Sequence, residues 1–401
     1  MLAYIGLLSA IILLTVIGNT SALASPAFTN GACSQAAQMR REVPKAITLA
    51  YCNWNQADAQ VLEAVRNGVN VLVWFSVNIA KNDDGECFVQ GGPDMKKVGK
   101  LMRQMREEGF VDVVHLMSIG GWNSPHPDTS FSAETMFDTL DKWNGQCATV
   151  AGIDYGSGGL FDGFDWDVEG NDDFDSPYNT FTKECIETMG LLSQLLKKEG
   201  YVVAMAPAES YLDPTTSEFS LRLNHNHLEW EETQPDFLYH GRNIYGYLLA
   251  KYGKTILPDS SVVETFDFVT IQLYEGYSHA FWKIRMRPEG VITPAEQLTE
   301  LLKSLKEGWT VDFHELQFGK KRLRLDPQRV VIGLANGWAG EPENKFLYLT
   351  PDELQDAHTA LVAQNLRPRG LAFWCIAHEG DKDTFLASTI SSIQNKVEPS
   401  Y

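Results

Sequence analysis

Four acidic residues stand within one short segment of this 401-residue chain, at positions 162, 165, 167 and 169. Large apolar residues alternate with the last three, which predicts a β-strand with two unlike faces. Asp165, Asp167 and Glu169 then project from one face, while Phe164 and Trp166 project from the other. Because neighbouring carboxylates cannot all ionise, we expect at least one to keep its proton near neutral pH. Such a carboxyl can donate its proton to a leaving group.

Glu169 is the last acid of this row, so we expect it at the carboxyl end of its strand and as the proton donor. Asp165 and Asp167 would lie deeper, where they can hold or pass that proton. Two other interpretations of the row are a solvated surface strand and a Ca²⁺ or Mg²⁺ site. The apolar alternation argues against the first, and the lack of a nearby His or further carboxylate argues against the second. We therefore expect neither a metal nor a cofactor.

Eight apolar runs rich in β-branched residues recur along the chain and alternate with stretches of helical periodicity. Strands that alternate with helices predict βαβ units and a parallel sheet. Eight such units favour one closed (β/α)8 barrel of the α/β class over an open sheet, with active-site groups at the carboxyl ends of the strands. The predicted strands cover residues 46–51, 69–77, 111–119, 163–168, 202–206, 266–273, 330–334 and 370–376.

Two connections of the predicted barrel are unusually long. Residues 211–265 after the fifth strand and 276–329 after the sixth exceed the common loop length of about 2–6 residues. By contrast, only residues 337–350 separate Asn336 from a predicted helix that begins at Pro351. We therefore expect no inserted α/β module after the seventh strand, and a shallow, open cleft.

The composition excludes some partners. Lys and Arg number 33 and Asp and Glu 52, which gives a net charge of −19. A surface that acidic repels phosphate backbones, so we expect no nucleic-acid partner. The 10 Trp, 14 Tyr and 20 Phe residues supply flat faces that suit both a packed core and sugar rings.

The N-terminal residues predict export. Residues 2–17 are almost entirely apolar and carry no charge, and a small-x-small site follows at residues 22–24. This pattern predicts a signal peptide over residues 1–24, a mature domain over 25–401 and a secreted, extracellular protein without membrane contact after cleavage. The alternative is an uncleaved anchor, but the run is shorter than the roughly 20 residues that span a bilayer.

Export would place the six cysteines in an oxidising compartment. Their even number predicts disulfide bonds. Cys52 and Cys375 lie in strand-like runs, so the alternative for them is a role as small buried apolar residues.

Two segments resemble the motifs of one known family. Residues 162–169 resemble the D-x-x-D-x-D-x-E signature of glycoside hydrolase family 18, the chitinases and related enzymes. Residues 118–121 resemble the S-x-G-G motif of that family. The motifs lie on the fourth and third predicted strands, as in the family, and the resemblance covers about residues 47–378. It implies a TIM barrel, in agreement with the strand count, and a catalytic domain over residues 25–401.

The resemblance also implies a substrate-assisted retaining mechanism, in which the acetamide oxygen of the sugar attacks its own anomeric carbon. Glu169 would protonate the glycosidic oxygen and later activate water. Asp167 would orient the acetamide and stabilise positive charge, and Asp165 would tune Asp167. Asp162 has the opposite parity, so we expect it to hydrogen-bond at the strand start.

Further contacts with the sugar follow from the same resemblance. Tyr274 matches the tyrosine that hydrogen-bonds the acetamide, and Trp374 matches the tryptophan beneath the distorted sugar. Gln272 and Glu275 depart from the common M-x-Y-D pattern of the sixth strand, and the glutamine resembles the plant-type branch. The substrate-binding residues expected in total are Tyr51, Gly121, Met205, Gln272 and Trp374, besides Tyr274 in a catalytic role.

Three functions remain open at this stage. The first is an endo-acting chitinase that hydrolyses β-1,4 bonds between N-acetylglucosamine units. The second is an endo-β-N-acetylglucosaminidase acting on N-glycans, and the third is a non-catalytic, lectin-like relative that binds chitin. Members of the third class typically lose the terminal Glu or a neighbouring Asp, whereas this row is complete, which favours an enzyme. The expected partner is chitin or an oligosaccharide that contains N-acetylglucosamine.

Overall fold

Eight parallel strands form a closed barrel in the computed structural model of the chain. The structure describes residues 41–53, 56–153, 158–173, 175–223, 242–275, 278–287, 290–340, 346–378 and 386–395. The expected signal peptide lies outside these residues, so it and the expected secretion stay predictions.

The strands match the predicted runs to within a few residues at their ends. In chain order the strands are β1 (Ile47–Cys52), β2 (Val71–Lys81), β3 (Cys87–Gly91), β4 (Val114–Gly121), β5 (Gly163–Val168), β6 (Val202–Met205), β7 (Lys254–Ile256), β8 (Val262–Glu264), β9 (Phe268–Gln272), β10 (Trp309–Phe313), β11 (Gly319–Leu323), β12 (Val330–Ala335) and β13 (Gly370–Trp374). The barrel order is β1, β2, β4, β5, β6, β9, β12 and β13, and β13 pairs in parallel with β1 to close it. The (β/α)8 prediction is therefore confirmed.

The other five strands lie outside the barrel. β3 pairs antiparallel with β2, β7 with β8, and β10 with β11. The last two hairpins belong to the connections after β6 and β9. Whether a module is inserted after β12 stays a prediction, because residues 341–345 of that connection lie outside the described residues.

Helices follow the barrel strands, and sequence patterns mark where two of them begin. The helices are α1 (Asp58–Arg66), α2 (Met95–Glu107), α3 (Ala133–Ala151), α4 (Lys183–Lys198), α5 (Ile244–Tyr252), α6 (Pro294–Glu307), α7 (Pro351–Ala363) and α8 (Leu386–Asn395), with a short helical segment from His279 to Met286. Both α6 and α7 begin with a Thr-Pro pair and a capping box, so the first exposed N–H groups are satisfied locally. Within the described residues, no helix is long and apolar enough to cross a membrane.

The barrel wall separates two cores. The inner core contains small and branched residues of alternate strand positions, such as Val73, Ala204 and Ala372. The outer core lies between strands and helices and contains Phe164 and Trp166 of β5. Because side chains alternate along a strand, this placement turns the acidic face of β5 into the barrel.

The end of β4 requires two glycines. Gly120 and Gly121 have φ angles of +105° and +109°, a region that other residues rarely adopt. A Cβ atom on Gly120 would lie 2.7 Å from the main-chain oxygen of Asp167, and one on Gly121 would lie 2.2 Å from Cζ of Phe75. The S-x-G-G motif therefore lets β4 approach β5 and the Phe75 ring closely.

The expected disulfide bonds are absent from the described part of the chain. Cys52, Cys147 and Cys185 are buried in the outer core on three different elements, where each sulfur packs against apolar side chains. Burial raises the pKa of the Cys147 and Cys185 thiols to about 12, so they stay protonated and unreactive. The prediction of disulfides is wrong for these residues, and Cys33 lies outside the described residues.

Replacing Gly121 by Ala tests the close packing at the end of β4. Gly109→Ala is the matched control, because Gly109 also has a positive φ, +94°, but no described atom lies within 4 Å of an added Cβ. We expect Gly121→Ala to lower the free energy of unfolding by about 1–3 kcal/mol more than the control, because the Phe75 ring must move. Urea unfolding followed by circular dichroism measures both. Equal losses in the two variants would contradict this account.

Candidate active site

Three carboxyls line up at the inner face of β5. Asp165 is fully buried, and Asp167 and Glu169 are each only 5% exposed. The carboxyls of Asp167 and Glu169 lie close enough for each to change the pKa of the other. Backbone pairing places Asp165 opposite Ser118 and Asp167 opposite Gly120, so the two predicted motifs meet on neighbouring strands. These are the third and fourth strands of the barrel, as predicted.

Asp165 is the innermost acid of the row. The Tyr51 hydroxyl donates to its Oδ2 atom over 3.0 Å, and its Oδ1 atom is buried without a hydrogen-bond partner among the described residues. Burial and then the charge of Asp167 raise the pKa of Asp165 well above its usual range, against the opposing effect of the Tyr51 hydrogen bond. Asp165 therefore releases its proton less readily than an ordinary aspartate.

Asp167 is held by an amide. Nε2 of Gln272 donates to Oδ1 of Asp167 over 2.8 Å and to the Ala206 main-chain oxygen over 2.7 Å. The Tyr274 hydroxyl donates to Oε1 of Gln272 over 2.9 Å, which fixes the orientation of the amide. Burial raises the pKa of Asp167 to about 7, and the hydrogen bonds from Glu169 and Gln272 limit the rise. Asp167 can thus gain or lose a proton near neutral pH.

Glu169 has the properties of a proton donor. Burial raises its pKa well above the usual range, and the charges of Asp167 and Glu275 raise it further. Its Oε2 atom has no hydrogen-bond partner in the described structure. A carboxyl that keeps its proton to a higher pH than usual and has one oxygen uncommitted can protonate an incoming group.

Trp374 forms an aromatic wall beside the row. Its ring lies 5.7 Å from that of Tyr51 and contacts the Phe75 ring edge-on at 4.9 Å. The Trp338 indole N–H donates to the Trp374 main-chain oxygen over 2.8 Å. Trp374 is only partly buried, so it can offer a flat apolar surface to a sugar ring.

Two predicted site residues, Met205 and Gly121, have packing roles in the structure. Met205 pairs with Trp166 on the outer side of the barrel and is fully buried there, which corrects its assignment as a substrate-binding residue. The interior positions of β6 belong instead to Val202 and Ala204, since side chains alternate. Gly121 packs against Phe75, and its contact with substrate stays a proposal.

Asp162 forms hydrogen bonds at the start of β5, as expected from the sequence. Its carboxylate accepts from the His115 main-chain N–H over 2.8 Å and forms a salt bridge of 2.9 Å with Arg41. It therefore joins the start of β5 to β4, away from the inner row.

Sequence reasoning did not assign two residues that contact the row through the main chain. Nε2 of His126 lies 2.9 Å from the Glu169 main-chain oxygen, and the Tyr245 hydroxyl contacts the main chain of Val168. His126 is separated from Glu169 by 43 positions, and Tyr245 from Val168 by 77. No local sequence pattern predicts such contacts. No group of His, Cys, Asp and Glu side chains in the described ranges is arranged to hold a metal ion.

Solved structures show where this fold occurs. A GH18 chitinase from Pseudoalteromonas aurantia superposes with a TM-score of 0.52 at 13% identity, covering 88% of this chain and 100% of its own. The C-terminal domain of ChiA from Legionella pneumophila gives 0.51 at 16% identity, with coverages of 88% and 99%. A fungal endo-β-N-acetylglucosaminidase of glycosyl hydrolase family 18 gives 0.50 at 13% identity, with coverages of 88% and 98%.

The fold is that of family 18 glycoside hydrolases. At these identities the likeness concerns the fold alone. No family model and no curated protein sequence matches the chain.

The raised pKa of Asp167 makes stability depend on pH. Between its ordinary value near 4 and about 7, folded Asp167 holds a proton that the unfolded chain has released, so its contribution to stability falls as pH rises. We therefore expect Asp167→Asn to raise the melting temperature relative to wild type at pH 7.5, and the gain to disappear near pH 4.

Asp128→Asn is a control of opposite sign, because hydrogen bonds from Ser130 lower the pKa of Asp128. Its removal should lower the melting temperature at neutral pH, with the difference vanishing in acid. Scanning calorimetry across the range measures both. A pH-independent gain in Asp167→Asn would show that burial of its charge is not the cause.

Proposed function

We propose that this protein is a secreted glycosidase of family 18 that hydrolyses the β-1,4 bonds of chitin by the substrate-assisted retaining mechanism. The observation that supports this most directly is the buried carboxyl row. Glu169 stands at its outer end, with a raised pKa and with one oxygen uncommitted. The sequence signature and the shared fold agree with it.

In this mechanism, Glu169 donates its proton to the glycosidic oxygen while the acetamide oxygen of the sugar attacks the anomeric carbon. The leaving chain departs as an alcohol, and a positively charged oxazolinium ion forms. Glu169, now a carboxylate, then takes a proton from the water that opens this ion. The acid is thereby restored and the anomeric configuration is retained.

Asp167 is suited to assist both steps. Its ionised carboxyl can accept from the acetamide N–H and stabilise the positive charge in a site that excludes water. Tyr274 is linked to Asp167 by two hydrogen bonds through Gln272, and its hydroxyl would turn to the acetamide oxygen when sugar binds. Asp165 has a raised pKa and accepts a hydrogen bond from Tyr51, which limits the negative charge beneath Asp167.

An endo-β-N-acetylglucosaminidase acting on N-glycans is the second candidate. The shared fold with the fungal enzyme of that activity supports it. A lectin-like, non-catalytic protein is disfavoured, because such a protein needs no protonated carboxyl with an uncommitted oxygen.

Glu169→Gln tests the proposed acid. We expect it to lower kcat on chitin oligomers by at least about 10²–10⁴-fold, because an amide cannot donate the required proton. Glu184→Gln, an exposed change on α4, is the matched control and should keep wild-type activity. Product analysis by mass spectrometry, with both chitin oligomers and a high-mannose glycopeptide, gives the readout.

The outcomes separate the candidates. Turnover of chitin oligomers supports the chitinase, and turnover of the glycopeptide alone supports the second candidate. An inactive wild-type protein, or an unchanged rate in Glu169→Gln, would contradict the proposed mechanism.

A further inference from the structure

The carboxyl end of β5 extends beyond the end of the neighbouring strand β6. β6 ends at Met205, and the Ala206 N–H donates to the Trp166 main-chain oxygen over 2.7 Å. Pro207 follows and has no N–H to continue the ladder. Residues two apart in a parallel strand direct their main-chain groups to the same side. The N–H and C=O of Val168 therefore face the place that β6 has left.

The Tyr245 hydroxyl fills this place. It accepts from the Val168 N–H over 2.8 Å and donates to the Val168 C=O over 3.0 Å. A phenol carries one donor and can also accept, so a single oxygen replaces both partners that a strand would supply. Tyr245 belongs to α5, is fully buried and stacks on Tyr211 at 5.8 Å. Burial and stacking therefore fix the position of the Tyr245 ring.

His126 holds the next residue. A carbonyl oxygen can only accept, so Nε2 of His126 carries the proton that is shared with the Glu169 C=O over 2.9 Å. The imidazole packs 4.4 Å from the Phe181 ring and 5.4 Å from the Tyr178 ring. Burial lowers the pKa of His126, against the opposing hydrogen bond to Glu169. The neutral ring therefore stays a donor to this carbonyl across neutral pH.

Loop groups continue the support beyond Glu169. The Asn123 N–H donates to the Gly170 C=O over 2.9 Å, and Oδ1 of Asn179 accepts from the Asn171 N–H over 2.7 Å. The main chain of four successive residues, 168–171, is thus hydrogen-bonded by groups from outside the sheet. The Glu169 side chain branches from this held main chain, so a shift of the main chain would move the carboxyl with it.

We propose that Tyr245 and His126 are positioning residues that set the location of the Glu169 carboxyl by holding the main chain at and before it. This inference rests on the proposed function, since it takes Glu169 as the acid. It also assigns a part to the long connection after β6, which supplies Tyr245 and supports the acid from outside the barrel.

Tyr245→Phe tests the inference by removing one oxygen atom. Tyr247→Phe is the matched control, because Tyr247 lies on the same helix and is also buried, but its hydroxyl donates to Glu187 over 3.0 Å. We expect Tyr245→Phe to lower kcat about ten- to a hundredfold with KM changed by less than about twofold, because a small displacement of a catalytic group is costly whereas sugar contacts remain. The control should change neither constant by more than about twofold.

His126 offers a second test through rescue. His126→Leu should lower kcat without a matching change in KM, and His126→Gln, which keeps an N–H donor, should recover part of the loss. A loss of the same size in both variants, or a change in KM alone, would overturn the assignment of His126.

Two readouts need no turnover and separate this inference from the proposed function. Tyr245→Phe should speed hydrogen exchange of the Val168 amide, and it should lower the pKa of Glu169 measured by ¹³C NMR, because a displaced strand end admits water. Tyr247→Phe should change neither. An inactive wild-type protein with these shifts would overturn the proposed function and keep the positioning role. An unchanged kcat, or an unchanged Glu169 titration, in Tyr245→Phe would overturn the positioning role.

Discussion

The burial of three carboxyls on one face of β5 is the constraint on which the rest of the site depends. Desolvation is the largest cause of the raised pKa at Asp165, Asp167 and Glu169. A buried charge is costly unless it is paired or hydrogen-bonded. The row therefore releases its protons less readily than ordinary carboxyls do, and this property is what suits Glu169 to the proposed role of proton donor. The burial that makes these carboxyls costly to the fold is therefore also what raises the pKa of Glu169.

The surroundings of the row limit that cost without removing it. The Tyr51 hydroxyl and the Gln272 amide each give one hydrogen bond to a carboxylate oxygen, and Gln272 is itself fixed by Tyr274. None of these partners is a cation, so the pKa values stay raised instead of falling as they would beside Arg or Lys. Arg41 pairs with Asp162, at the other end of β5, where the carboxylate joins two strands. Charged and neutral partners are thus used at opposite ends of one strand for different purposes.

The strand pattern of the barrel could be predicted from the sequence because it is a local property. β5 has the predicted bounds, and its alternation placed Phe164 and Trp166 in the outer core. The same alternation directs Met205 into the outer core, which is why its expected contact with substrate is not found there. The disulfide prediction was wrong for Cys52, Cys147 and Cys185, because the pairing of thiols depends on which elements become neighbours. An even count does not contain that information.

The sequence by itself determined the acidic row, the eight strands, the two glycines at the end of β4 and the capped starts of α6 and α7. Each of these is a matter of residue type and spacing within one segment. Only the tertiary structure decided that Gln272 holds Asp167, that Tyr245 replaces a missing strand at Val168 and that His126 donates to Glu169. These contacts join positions 43 to 105 apart. Their existence depends on how the barrel closes and where each connection returns to it, which periodicity along the chain does not specify.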